Sequence, residues 1–468
     1  MMPDVVMPEA KQAAKQAAAP LGLYVHWPFC RAKCPYCDFN SHLRDRVDHT
    51  RWAAALVREL ETLAEQADRR GHHLSSIFIG GGTPSLMDPG TMARVIEAAR
   101  SVFTLNDDAE ITMEANPTSV EAARLNAFAE AGVNRLSMGI QSLNDDALTA
   151  LGREHSAHEA LDALDVARAV FPRVSADFIY ARPGQSEADW DDELARILGL
   201  GLSHLSLYQL TLEPGTAFWS RHRRGLMPMP EDDHARALFD LTRLRCADAG
   251  LPAYEISNHA NPGQESRHNL IYWRAHDWIG IGPGAFGRFW RDNNRVEMRC
   301  RRDPDAWLEG VERDGHGLDT ADSDSVDDAA AEIFMMGLRL GEGVRLDRLT
   351  TLPGLAGGGY KHDALTMLER EGLITLDDSA VRLTDKGMPL INSVVYPYLL
   401  TGETMQRTGG GLEPFGGRSD HPRFAAINLA NIKQAEVEAI GLEAEGSRKP
   451  GKPGFLGQAF LEIAALIS

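Results

Sequence analysis

The chain has 468 residues, 43% hydrophobic and 25% charged, enough for one large domain and a smaller one with a full core. A balance of 67 acidic against 48 basic residues leaves a net charge of -19, which argues against nucleic acid or an anionic membrane as the main partner. No apolar stretch approaches membrane-spanning length, and no integral membrane segment is expected. Residues 1–20 form an extension rich in Ala, Lys and Gln. It lacks the apolar middle of a secretory signal and the arginines of a transit peptide, so a cytoplasmic location is expected.

Leu21 to Phe29 is an apolar run that predicts a short strand, and Cys30-Arg31-Ala32-Lys33-Cys34-Pro35-Tyr36-Cys37 follows it directly. Three of the five cysteines fall within these eight residues. In a reducing compartment, thiols crowded this closely are metal ligands rather than disulfide partners. Two ligand sets are open at this point. One is a zinc site of three cysteines and a histidine, with His26 or His42 as the fourth ligand. The other is a four-iron cluster, in which three thiolates leave one iron free to take something else. Cys246 and Cys300 stand alone in arginine-rich surroundings and read as incidental thiols.

Arg51 to Arg69 carries Trp52, Leu56, Leu60 and Leu63 at helical spacing. The next apolar run, Ser75 to Ile79, ends in Gly80-Gly81-Gly82-Thr83-Pro84. The pattern of strand, polar turn and helix then recurs with Glu110 to Glu114, Arg135 to Ile140, Val174 to Ile179 and His204 to Leu210. At least six strand–helix units predict an α/β fold, a parallel sheet with helices outside that closes fully or partly into a (β/α) barrel. In such a barrel the working residues stand at the carboxyl ends of the strands.

Those ends hold the polar candidates. Gly81, Gly82 and Thr83 let backbone approach a carboxylate or ammonium group, or simply form a tight turn. Glu114 sits at a strand end before Pro117, as a site acid or a solvated loop acid. Gln141 and Arg153 are site groups or ordinary surface polar groups. Asp177 lies inside an apolar run, and a buried acid needs a partner such as a ribose hydroxyl or a cation.

The spacing C-x3-C-x2-C after a first strand resembles that of the radical S-adenosylmethionine (SAM) enzymes. The resemblance implies that Cys30, Cys34 and Cys37 hold a 4Fe-4S cluster whose free iron is chelated by S-adenosylmethionine. The succession Gly-Gly-Gly-Thr-Pro-Ser, Glu-Ala-Asn-Pro, Gly-Ile-Gln-Ser and Leu-Gly-Arg-Glu-His resembles the oxygen-independent coproporphyrinogen oxidase family over roughly Leu21 to Tyr398. It implies that Tyr24, Tyr36, Gly81, Gly82, Thr83, Glu114, Gln141, Arg153 and Asp177 line S-adenosylmethionine.

That family contains oxidases, which decarboxylate porphyrinogen propionates, and HemW-like haem chaperones. Oxidases resemble C-x3-C-x2-C-x-C, whereas Phe39 stands at the last cysteine position here. They also have a longer segment ahead of the cluster, and 29 residues precede Cys30 here. Arg267-His268-Asn269-Leu270-Ile271-Tyr272-Trp273 matches the H-N-x-x-Y-W motif of the chaperones. The resemblance makes His268 a haem-binding candidate; the alternative is a structural histidine with Tyr272 and Trp273 in the core. Two places depart from the family pattern: Ala181-Arg182, where Gly-Leu is usual, and Phe286, where His is usual.

The expected function is therefore haem binding and delivery to recipient haem proteins, with coproporphyrinogen oxidation as the alternative. No catalytic residue is assigned, and monomer or homodimer is left open. Residues 21–326 read as the barrel domain with its following region. Residues 327–400 read as a winged-helix-like module, with Ile333, Met336, Leu338 and Leu340 on one helical face and a glycine stop before a hairpin. Net acidity argues against DNA binding there and favours a cover or docking role. Residues 401–468, rich in Gly, Pro, Glu and Arg, read as a mostly disordered extension with a short apolar helix over Gln458 to Ile467.

Overall fold

Seven parallel strands form the centre of an 11-stranded sheet in the computed structural model, which describes residues 20–292, 294–324, 326–351, 362–391, 395, 399, 405–408 and 411–414. The sheet order is Leu318–Ser323, Asn294–Cys300, Phe286–Arg291, Asp277–Ile281, Leu21–Trp27, His73–Gly81, Thr104–Ala115, Arg135–Gln141, Arg173–Tyr180, His204–Gln209 and Asn258–Ala260. Every strand expected from the sequence is present, lengthened or trimmed by a few residues. The order has two ends, so the barrel is partial. Asn258–Ala260 caps one side antiparallel, and three antiparallel strands extend the other beyond Asp277–Ile281. Most of 401–468, including Gln458 to Ile467, lies outside the described residues, as does the extension up to residue 19.

The first strand is buried at all seven positions, as a parallel strand covered on both faces must be. Helices His49–Gln66 and Pro89–Val102 start on Asp48 and Asp88, whose carboxylates accept from the backbone N–H groups of Arg51 and Thr91. Trp52 stacks on Trp307 and meets Trp27 and Phe29 edge-on, which joins the first helix to the sheet. Glu59 lies on this buried face and is 0% exposed. Its carboxylate accepts from Gly282 N and Gly317 N, both at 2.7 Å, and from Trp307 Nε1 at 2.9 Å. Burial raises its pKa against those hydrogen bonds.

Ile333 and Met336 lie in helix Val326–Gly337, while Leu338 and Leu340 follow it; all four are buried. Helix His362–Arg370, the left-handed Gly372 and strands Ile374–Leu376 and Ala380–Leu383 follow, with Val344–Arg345 pairing as the third strand. This module meets the barrel through Ile271, Trp273, Trp278, Met335 and Met336 in one apolar cluster. It also meets it through charge. Arg288, 1% exposed, binds Glu297 at 2.8 Å and both Asp324 and Glu332, and Arg295 reaches Glu332 at 3.4 Å.

Candidate cofactor site

Cys30 ends the short strand Phe29–Cys30, and Cys34 and Cys37 follow on a turn closed by Cys37 N donating to Cys34 O at 3.1 Å. All three are half-buried on the wall of a cavity of about 280 Å³ at the carboxyl ends of the parallel strands. Tyr36, Gly81, Gly82, Thr83, Glu114, Gln141, Arg153 and Asp177 line the same cavity. Eight of the nine residues assigned to S-adenosylmethionine are thus brought together. The ninth, Tyr24, stands outside the lining, with its hydroxyl 2.8 Å from His26 Nδ1 and its ring stacked on Phe78.

Close packing explains the glycines. A Cβ on Gly81, at φ +115°, would come 2.6 Å from the His26 ring, and one on Gly82 would come 2.8 Å from the Pro28 backbone. The amides here are already engaged: Gly81 N with Glu114 Oε2, Gly82 N with Trp27 O and Thr83 N with Phe29 O. What the turn can offer a ligand is carbonyl oxygen. Of the two partners open in the sequence, carbonyls suit an ammonium and not a carboxylate.

Glu114 and Asp177 supply negative charge to the same wall. Burial, with Asp177 beside it, pushes the Glu114 carboxyl up to about 8 against the Gly81 hydrogen bond. Burial also raises Asp177, whose oxygens accept from Ser137 Oγ at 3.0 and 3.3 Å. Two crowded acids in a cavity favour a cation or hydroxyl groups as guests. Neither is a solvated loop acid.

Arg153 ties the loop together. One of its Nη atoms donates to Cys34 Sγ at 3.4 Å and Tyr36 Oη at 3.5 Å, and the other to Asn116 Oδ1 at 2.7 Å and Gly139 O at 2.9 Å. Asn116 Nδ2 donates to Thr83 Oγ1 at 3.5 Å, and Thr83 Oγ1 to Cys30 Sγ at 3.3 Å. A polar chain thus runs from Cys30 through Thr83, Asn116 and Arg153 to Cys34. Asn116 was not singled out from the sequence, although its place after a strand end was the available signal. Gln141 adopts φ +71°, and among the described residues its buried Oε1 has no hydrogen-bond partner. An orphaned acceptor on strained backbone is held for something the cavity receives.

The residues fit the implied cofactors: three thiols, an unsatisfied amide oxygen and two acids on one cavity. Burial pushes the Cys37 thiol up to about 12, so loading a metal there releases a proton. The zinc alternative needs a histidine beside the thiols. His26 Nε2 instead lies 3.0 Å from Asn40 O, and His42 Nε2 lies 3.1 Å from Asn40 Oδ1. Cys246 and Cys300 are buried in the core.

His268 stands elsewhere. It is 1% exposed and stacks on Phe78. Nδ1 is 2.8 Å from Ser76 Oγ, and Nε2 is 2.8 Å from Tyr272 Oη. Both ring nitrogens are thus engaged by hydroxyls and the ring is enclosed. Tyr272 and Trp273 are buried beside it. The departure at 181 is visible too. Ala181 sits at φ +55°, where glycine is favoured, and Arg182 donates to Ser142 Oγ at 2.9 Å and pairs with Glu193. Phe286 is buried against Trp278.

Residues 24–197 match the radical SAM superfamily, and residues 324–390 match the HemN C-terminal domain. The chain is 38% identical over 407 residues to radical S-adenosyl methionine domain-containing protein 1, mitochondrial, of Bos taurus, covering 85% of this chain and 90% of that protein. It is 36% identical over 383 residues to the heme chaperone HemW of Escherichia coli, covering 81% and 98% respectively. The chaperone of the same name from Mycobacterium tuberculosis is 34% identical over 394 residues, covering 82% and 95%. The solved structure of coproporphyrinogen III oxidase (HemN) from Escherichia coli superposes with a TM-score of 0.67 at 23% identity, over 83% of this chain and 92% of that one, which shows the shared fold.

Proposed function

Because the chain belongs to the radical SAM superfamily, in the group that holds the HemW haem chaperones, we propose that it binds haem and delivers it to haem-requiring proteins. The observation that carries this reading is likeness to those chaperones along nearly their whole length, at 36% identity over 98% of one of them. The sequence agrees with it at Phe39, where an oxidase has a further cysteine.

In this proposal Cys30, Cys34 and Cys37 hold a 4Fe-4S cluster, and S-adenosylmethionine fills the cavity beside it. A cluster of this kind supplies a low-potential electron to the bound sulfonium. The chain's own residues bind and orient. The carbonyls of the Gly81–Gly82 turn and the Glu114 carboxylate take the amino group, Asp177 takes ribose hydroxyls, and Gln141 Oε1 accepts from the nucleotide. Arg153 holds the cysteine loop against Asn116 and Gly139. Tyr24 acts from behind, through His26. The three thiols call for a reducing compartment; no described helix is long and apolar enough to cross a membrane.

Anaerobic reconstitution followed by haem titration and transfer to a haem-free acceptor protein tests the reading. Acid-labile sulfide, tight haem binding and loss of haem to the acceptor are expected. Stoichiometric zinc without sulfide, or sustained vinyl formation from coproporphyrinogen with S-adenosylmethionine and a reductant, would overturn it.

A further inference from the structure

The H-N-x-x-Y-W stretch folds as helix Arg267–Trp273, and the end of that helix leads to a second cavity. The helix closes in a Schellman turn: Ala275 N donates to Tyr272 O and His276 N to Ile271 O, both at 2.8 Å. Ala275 occupies the glycine-favouring position of that turn at φ +47°. The turn is held from the C-terminal module by Arg348, which donates to Ala275 O at 2.6 Å. Immediately after it, half-buried, comes His276.

His276 lines a cavity of about 410 Å³ between this turn and the C-terminal module. Its surroundings differ from those of His268, eight residues earlier. Among the described residues the His276 ring makes no hydrogen bond. Trp273 contributes an indole from the barrel side, buried and with Nε1 unsatisfied, and Ile333, Leu340 and Val344 contribute apolar wall from the module. Three guanidiniums stand on the rim: Arg274, paired with Glu342 at 2.6 Å; Arg345, paired with Asp347; and Arg348 on the turn itself. In a chain of net charge -19, they gather donors in one place that the oxygens of an anion can share.

Resting on the reading that this chain carries haem, we propose that haem seats in this cavity, with His276 as its iron ligand and the arginines facing its propionates. The chemistry matches on three counts. A flat, largely apolar macrocycle needs a slot between apolar walls, and the barrel and module supply one each. Two carboxylates need donors, and three guanidiniums stand on the rim. Iron needs a neutral nitrogen; burial, with Arg348, Arg274 and Arg295 nearby, lowers the His276 pKa to about 2, so the imidazole keeps its lone pair at neutral pH.

The test is titration of ferric haem into the full-length, cluster-loaded protein, followed at the Soret band. His276→Ala is expected to weaken binding about ten-fold or more and to shift the band, with added imidazole restoring it. His276→Gln, which keeps most of the volume, is expected to give the same loss and guards against a folding artefact. Unchanged affinity and an unchanged band in both variants overturn the site but leave the haem-chaperone reading standing. Failure of the unsubstituted chain to bind haem overturns both.

Discussion

Replacing His268 by leucine separates a structural histidine from a ligand. Leucine keeps most of the packing volume but strands two buried hydroxyls, Ser76 Oγ and Tyr272 Oη, each now 2.8 Å from a ring nitrogen. An orphaned buried group costs about 1–3 kcal/mol, so with two of them the variant is expected to lose about 2–6 kcal/mol at neutral pH. The ring also carries a pH signature. Burial lowers its pKa from 6.5 to about 3, so the unfolded chain binds the proton more readily than the folded one. Its contribution is complete above about pH 6.5 and is lost as pH falls toward 3. At 1.36 kcal/mol per pH unit, about 2 kcal/mol of it is gone by pH 5. His26, His155 and His259 are lowered as well, so the acid sensitivity of the native chain is a sum, and the difference between native and variant isolates His268. Urea unfolding at pH 7.5 and pH 5 measures both effects. The stability gap should be large at pH 7.5 and about 2 kcal/mol smaller at pH 5. A gap near zero at both, together with lost haem binding, would refute the reasoning and make His268 the ligand.

Glu114→Gln should weaken S-adenosylmethionine binding at least ten-fold by equilibrium dialysis. It should also stabilise the cofactor-free chain above neutral pH: an acid raised to about 8 costs nothing below 4.5 and progressively more as pH rises, levelling at about 5 kcal/mol above pH 8. Cys37→Ala should abolish acid-labile sulfide after reconstitution while leaving the circular dichroism spectrum unchanged, since the loop is half-buried and outside the apolar core. Arg288→Met leaves Glu297, Asp324 and Glu332 buried without their shared cation and should cost about 3–5 kcal/mol, read as a lower thermal midpoint. Ala181→Gly should change stability by less than about 0.5 kcal/mol, because relief at φ +55° offsets the usual cost of glycine.

The parallel strands from Leu21 to Gln209 were legible because each is a short apolar run bounded by glycine or polar residues, as Ser75 to Ile79 is. The strands of Asp277 to Cys300, the seventh parallel one and two antiparallel ones, were not. Gly280 and Gly287 interrupt their apolar pattern, and the reason is a contact between strands: a Cβ on Gly280 would meet Phe286 O at 2.2 Å. Nothing in the helical pattern of Trp52, Leu56, Leu60 and Leu63 marks Glu59. In space it falls three residues from Leu56 and four from Leu63, on the buried face, and its partners lie more than 200 residues away. At the cofactor cavity the motif residues converge because strand order places their carboxyl ends side by side. Which groups of the Gly81–Gly82 turn face a ligand was not legible, since that depends on which amides the neighbouring strand has already taken. His268 shows the limit of a motif: its letters locate a helix, while burial decides what the imidazole can do.

Arg288 lies in the barrel's antiparallel extension, whereas Glu332 belongs to the first helix of the following module. Cutting the chain between them would leave each half with an ion it cannot hydrate without opening its interior. Grafting the module of a relative onto this barrel would succeed only if the graft carried acids at matching places. Inheritance of the two parts is thereby linked, and substitutions at 288, 297, 324 and 332 should be found as sets rather than singly.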